Sequence, residues 1–75
     1  MFEIGNIVIL ADNNEYCVVD CFTDNGINYI YLVDVNDNTN FIYGKVENDE
    51  IVEIDNQEEL ERVIKIIYNN THADN

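Results

Sequence analysis

The run Asp34-Val35-Asn36-Asp37-Asn38-Thr39-Asn40 places oxygen-bearing groups at positions one, three, five and seven of a calcium-type loop. Such a loop needs glycine at position six for its sharp turn and a bidentate Glu at position twelve. Those positions are held here by Thr39 and Lys45. Without the second carboxylate the charge that holds a divalent cation is missing, so the run is read as a solvated turn and no metal site is assigned. Cys17 and Cys21 are the next candidates. Their four-residue spacing could suit a metal on a helix, but the Val-rich surroundings argue for a strand. On a strand they stand roughly 13 Å apart, beyond the ~7 Å that a disulfide spans. Both are read as buried free thiols, in keeping with a reducing cytoplasm.

No constellation for catalysis is visible. The chain contains no Ser, no glycine-rich phosphate loop and a single histidine, His72, which falls in a segment read as a frayed tail. Sixteen acidic residues bring carboxylates together by chance, so neighbouring acids do not mark an acid–base pair. The expectation is a non-enzymatic protein without a cofactor.

Sixteen Asp and Glu stand against three Lys and Arg, a formal net charge of -13 over 75 residues. A surface of that sign repels phosphates and anionic membranes and attracts basic proteins. Direct nucleic-acid binding is therefore excluded, and a basic protein surface is the expected partner. The apolar content of 47%, with five Tyr and three Phe, is too rich for an acidic disordered tail. No apolar run approaches the ~20 residues of a membrane-spanning helix, and Met1-Phe2-Glu3-Ile4-Gly5 lacks the basic start of a signal peptide. Cytoplasmic placement is the expectation.

The elements that would position any site follow from periodicity and turn chemistry. Ile4 to Leu10 reads as a first strand with a bend at Gly5-Asn6, and Tyr16 to Thr23 as a second. Asn25-Gly26 supplies the two positive-φ positions of a type I′ turn. Centring that turn pairs Phe22 with Tyr29, Asp20 with Tyr31, Val18 with Val33 and Tyr16 with Val35. Asn28 to Val35, Phe41 to Glu47 and Ile51 to Ile54 complete five strands. The period then lengthens: Asp55 and Glu58 read as a capping box, and Leu60, Val63, Ile64 and Ile67 form one apolar helical stripe. Glu58–Arg62 and Glu61–Lys65 are the expected i,i+4 pairs, and Asn69-Asn70 should end the helix. The fold class is α+β, mainly β: a five-stranded antiparallel meander, strongly bent or closed into an SH3-like barrel, with one C-terminal helix packed on it. Residues 1–70 form one domain and 71–75 a disordered tail.

Two surfaces stand out as candidates. The loop and hairpin acids Asp34, Asp37, Glu47, Asp49, Glu50 and Glu53 could present anionic rows, with same-face residues ~6.6 Å apart. Such a face could imitate DNA, which carries one charge per ~1.7 Å of duplex, or simply confer solubility. The alternative is an aromatic face formed by Tyr16, Phe22, Tyr29 and Tyr31. If the helix covers the opposite face, with Cys17, Val19, Ile30 and Leu32, the aromatic face would be exposed, and available for homodimerisation, unless the sheet curls closed over it.

The pattern Phe2-Glu3-Ile4-Gly5-Asn6-Ile7-Val8, then Glu15-Tyr16-Cys17-Val18-Val19 and Asn28-Tyr29-Ile30-Tyr31-Leu32, resembles small acidic uncharacterised proteins of low-GC Gram-positive bacteria. Val52-Glu53-Ile54-Asp55 and Glu58-Glu59-Leu60 extend the resemblance across residues 2–67. Such proteins are often carried on phages or mobile elements, and some fall in domain-of-unknown-function families. The resemblance implies a bacterial accessory or inhibitory protein and transfers no catalytic residue.

Overall fold

A computed structural model describes residues 2–72. Five strands, β1 (Ile7–Ile9), β2 (Glu15–Asp24), β3 (Ile27–Asp34), β4 (Phe41–Glu47) and β5 (Glu50–Glu53), precede one helix, α1 (Gln57–His72). The strands lie in sequence order and every neighbouring pair is antiparallel. The sheet is a meander curled into a half-barrel. Its two tight hairpins rest on paired positive-φ positions, Asn25 (53°) with Gly26 (78°) and Asn48 (52°) with Asp49 (66°), the geometry a type I′ turn demands.

β1 is shorter than the expected Ile4–Leu10. Gly5 takes φ 94°, Glu3 N–H donates to Asn6 Oδ1 at 2.9 Å, and Asn6 N–H donates back to Glu3 O at 3.0 Å. This turn diverts the chain before regular pairing begins at Ile7.

The larger correction lies in β2. Phe22 pairs with Tyr29 and Asp20 with Tyr31 as the turn requires, but Val18 pairs with Leu32 and Tyr16 with Asp34, because Val19 is bulged out of the ladder. One extra residue moves everything beyond it to the opposite face. Tyr16 and Val18 therefore join Ile30 and Leu32 in an inner-face core, flanked by Phe2, Val8, Leu10, Cys21, Ile42, Val46 and Ile51. Tyr29 lies on the other face in a second core with Ile54, Val63 and Ile67, bordered by Phe22, Ile27, Tyr31, Tyr43 and Leu60. The expected aromatic face is thus divided. Tyr16 and Tyr29 are each 1% exposed, and the helix covers the face that carries Tyr29. Cys17 and Cys21 are free thiols, but each is half-buried where full burial was expected.

α1 begins one residue later than the capping-box reading. Asn56, not Asp55, is the N-cap: its Oδ1 accepts from Glu59 N–H at 2.8 Å, while Leu60 N–H closes the first turn on Asn56 O at 2.9 Å. The buried stripe also differs from the expected one. Val63 and Ile67 are buried, whereas Ile64 is 38% exposed and does not belong to the docking face. The helix also runs through His72 instead of ending at Asn69-Asn70; of the expected tail, residues 73–75 lie outside the described residues.

Candidate functional site

The expected partner acids serve two different ends. Asp34 is 7% exposed, and both its oxygens are engaged: Oδ1 accepts from Asn36 N–H at 2.8 Å, and Oδ2 accepts from Asn40 Nδ2 at 3.1 Å. Asn40 Nδ2 also donates to Tyr16 Oη at 3.2 Å, and Tyr16 in turn donates to Asp12 Oδ2 at 2.8 Å. Asp12 is held below the usual carboxylate range by Asn14 N–H and then by this hydroxyl, while the same contact pushes the Tyr16 phenol up. Asp37 accepts from the Thr39 hydroxyl at 2.6 Å and from Thr39 N–H at 3.1 Å, and these bonds lower its pKa. The calcium-like run is therefore a loop folded onto its own carboxylates. Asp34 is removed from the candidate partner contacts because its oxygens are already committed inside the fold.

Glu47, Asp49, Glu50 and Glu53 are exposed. Glu47 stands directly opposite Glu50 across the hairpin, a like-charge pairing that is destabilising. Among the described residues none of these four forms an ion pair; the two salt bridges present are Lys45–Glu59 and Arg62–Asp24. The four acids do not make one row. Asp49 sits at the turn tip, Glu47 and Glu50 share a face with Lys45, and Glu53 lies opposite Gly44 on the inner face.

Two of the three cations are used to hold the helix. Glu59 accepts from Tyr29 Oη at 2.7 Å and from Lys45 Nζ at 3.2 Å. Arg62 donates from Nη2 to Tyr29 Oη at 3.1 Å and from Nε to Asp24 Oδ2 at 3.1 Å. The Tyr29 hydroxyl first, and Lys45 second, hold the Glu59 carboxyl below its ordinary value; burial, then Glu59, pushes the Tyr29 phenol up. At the far end Asn70 Nδ2 donates to Asp20 Oδ2 at 3.3 Å. Neither expected i,i+4 ion pair forms among the described residues: Arg62 reaches across to β2, and Glu61 accepts from Gln57. Of the two sheet-to-helix ion pairs, Lys45–Glu59 is partly shielded from water and Arg62–Asp24 is largely exposed, so the first is the stronger contact.

The helix leaves the far half of its face of the sheet open. Ile7, Cys17, Val33 and Phe41 are consecutive partners across four strands, so their side chains form one row on that face, about 14 Å long. Ile7 is 54% and Phe41 49% exposed, and Ile9 and Val35 extend the patch at 66% and 51%. Its inner border is aromatic: Tyr31 stacks on Tyr43 with ring centroids 4.8 Å apart, and Phe41 packs edge-on to Tyr43 at 5.7 Å. Ile7, Val33 and Phe41 escaped the sequence reading. The available signal was the Ile7–Leu10 run, apolar on both parities, in a chain with one helix to cover one side.

Among the described residues no helix is long and apolar enough to cross a membrane, and no three His, Cys, Asp or Glu side chains converge as a metal site. Compared with protein-family models, with curated proteins and with solved structures, the chain matches none.

Proposed function

We propose that this chain is a non-enzymatic acidic binding protein that engages a basic protein partner carrying apolar anchors. The observation that carries the reading is the open row Ile7–Cys17–Val33–Phe41 on a chain of net charge -13. A contiguous apolar patch bordered by polar surface is what protein interfaces present. The charge selects the partner's sign, because a second copy would bring like charge against like. Uncompensated acids at Glu47, Asp49, Glu50 and Glu53 add to the field that steers a basic surface toward the domain. The reading departs from duplex imitation: these acids fall on both faces and a turn tip, with Lys45 next to Glu47 on the same face. An accessory role on a phage or mobile element is compatible with it.

The test is affinity capture with the wild-type chain and the Phe41→Ser and Ile7→Ser variants, washed at low and moderate salt. A basic protein retained by the wild type, released by salt and lost with either variant is the expected result. A chain that retains nothing selectively, or that self-associates through Phe41 as concentration rises, would overturn the reading in favour of a homodimer.

A further inference from the structure

The inner face of the curl is sealed at its centre and open along its seam. Tyr16, Val18, Ile30 and Leu32 on β2 and β3 are at most 1% exposed, whereas Phe2, Val8, Leu10 and Ile51, which pack around them from the edges, are only half-buried. β1 and β5 are the two edge strands of the sheet. A slot of about 390 Å³ lies against both, lined by Val8, Ile9 and Leu10 on one side and Asp49, Glu50 and Ile51 on the other.

Register determines which backbone groups face that slot. Val18 N–H donates to Asn6 O and Leu10 N–H to Asn14 O. The alternation of an antiparallel ladder therefore turns the backbone groups of Ile7 and Ile9 away from β2. On the opposite edge Ile54 N–H donates to Tyr43 O, which by the same alternation turns those of Ile51 and Glu53 away from β4. Two edges thus offer strand donors and acceptors above a partly uncovered apolar floor, the situation that edge protection normally removes. Charge then narrows the occupant. Asp49 and Glu50 form the slot wall and Glu53 the adjoining edge, while Lys45 and Arg62 are committed to the helix clamp.

We infer that the seam between β1 and β5 is a strand-insertion site for an extended, basic segment of the partner protein. Its apolar side chains alternate inward onto Val8, Leu10 and Ile51, and its Lys or Arg side chains alternate outward beside Glu50. The inserted stretch is three or four residues, ~10–14 Å, matching the three residues of β1 and four of β5. Main-chain pairing supplies affinity, and the alternating pattern supplies selectivity. The inference rests on the proposed function and names its mode of recognition.

The test titrates the isotope-labelled full chain with the blocked peptide Lys-Val-Lys-Val-Lys-Val-Lys, with the same peptide N-methylated at alternate residues, and with a block-scrambled peptide of equal charge. The expected result is saturable binding of the alternating peptide, with amide shifts at Ile7, Ile9, Ile51 and Glu53. N-methylation should weaken it at least about tenfold through lost main-chain bonds, and the scrambled peptide should bind more weakly than the alternating one. On the protein side, Glu53→Gln removes one charge, and Glu53→Pro also removes the outward N–H at an edge position where proline is tolerated. Glu53→Pro should bind more weakly than Glu53→Gln while keeping the wild-type circular dichroism. Equal binding of the N-methylated and parent peptides, or no binding at low salt, overturns strand insertion. In either case the acidic-binding reading still stands if partner capture depends on Phe41, and falls if that capture fails as well.

Discussion

Val63 and Ile64 are adjacent, apolar and equally at home in the helical stripe read from the sequence, yet the fold treats them oppositely. Val63 is fully buried among Tyr29, Ile54 and Ile67, while Ile64 is 38% exposed. Val63→Ala removes the equivalent of two methylenes, about 1.6 kcal/mol of transfer free energy. The cavity left between helix and sheet raises the cost to ~2–3 kcal/mol. Ile64→Ala removes more carbon, but from a rim that water already reaches, and should cost under ~1 kcal/mol. For a domain of this size 1 kcal/mol corresponds to roughly 4–8 °C in Tm. Val63→Ala should therefore lower Tm by about 10–20 °C and Ile64→Ala by less than ~8 °C. Thermal unfolding followed by circular dichroism, with urea melts to check that the m-value is unchanged, measures both. Equal losses, or a larger loss at Ile64, would show that the helix is seated on a different face and would refute the docking through Val63 and Ile67.

The remaining expectations concern the clamp and the sheet. Glu59 has a folded-state pKa below its unfolded one, so its contribution is complete above the ordinary carboxylate value, about pH 4.3, and is lost as pH falls through the folded value. Tyr29→Phe removes the largest cause of that depression; it should cost ~1 kcal/mol near neutral pH and flatten the acid limb of the stability profile. An acid limb as steep as wild type would show that the Tyr29–Glu59 bond is not formed. A Cβ at Gly44 would lie 3.1 Å from both Val52 O and Ile51 Cγ2, so Gly44→Ala must push β5 from β4 and should cost roughly 1–3 kcal/mol in a urea melt. A neutral effect would mean that β5 lies farther from β4 than the register places it.

How far the residues themselves reveal the fold varies by element. The Asn25-Gly26 turn was legible because few residue pairs accept two positive φ values, and it set the register as far as Asp20–Tyr31. Beyond that point the reading failed at a single residue. Nothing in Val18-Val19 distinguishes a bulged valine from a paired one, since both suit a strand; the bulge reflects how β2 must twist to join both β1 and β3. The helix was visible from its period, but its cap was ambiguous by one position because Asp55 and Asn56 are both good caps. Which side of the helix faces the sheet was decided by packing, with Val63 and Ile67 buried and Glu59 bonded to Tyr29. The acids were legible as charge and illegible as roles. Asp34 and Glu47 read alike in sequence, yet one closes a loop from within and the other faces solvent opposite Glu50.

The sequence alone determined the quantities that are local or summed: the strand count, the hairpin turns, the amphipathic helix and the sign of the surface field. These depend on residue type and spacing, which need no long-range contact to express themselves. Tertiary structure decided how faces and partners are allotted. The Val19 bulge sent Tyr16 inward and left Tyr29 for the helix; the clamp drew Lys45 and Arg62 away from the exposed acids; the helix left Ile7 and Phe41 exposed. Each outcome is a competition between distant groups for the same side of one sheet. Only the folded chain shows which group prevails.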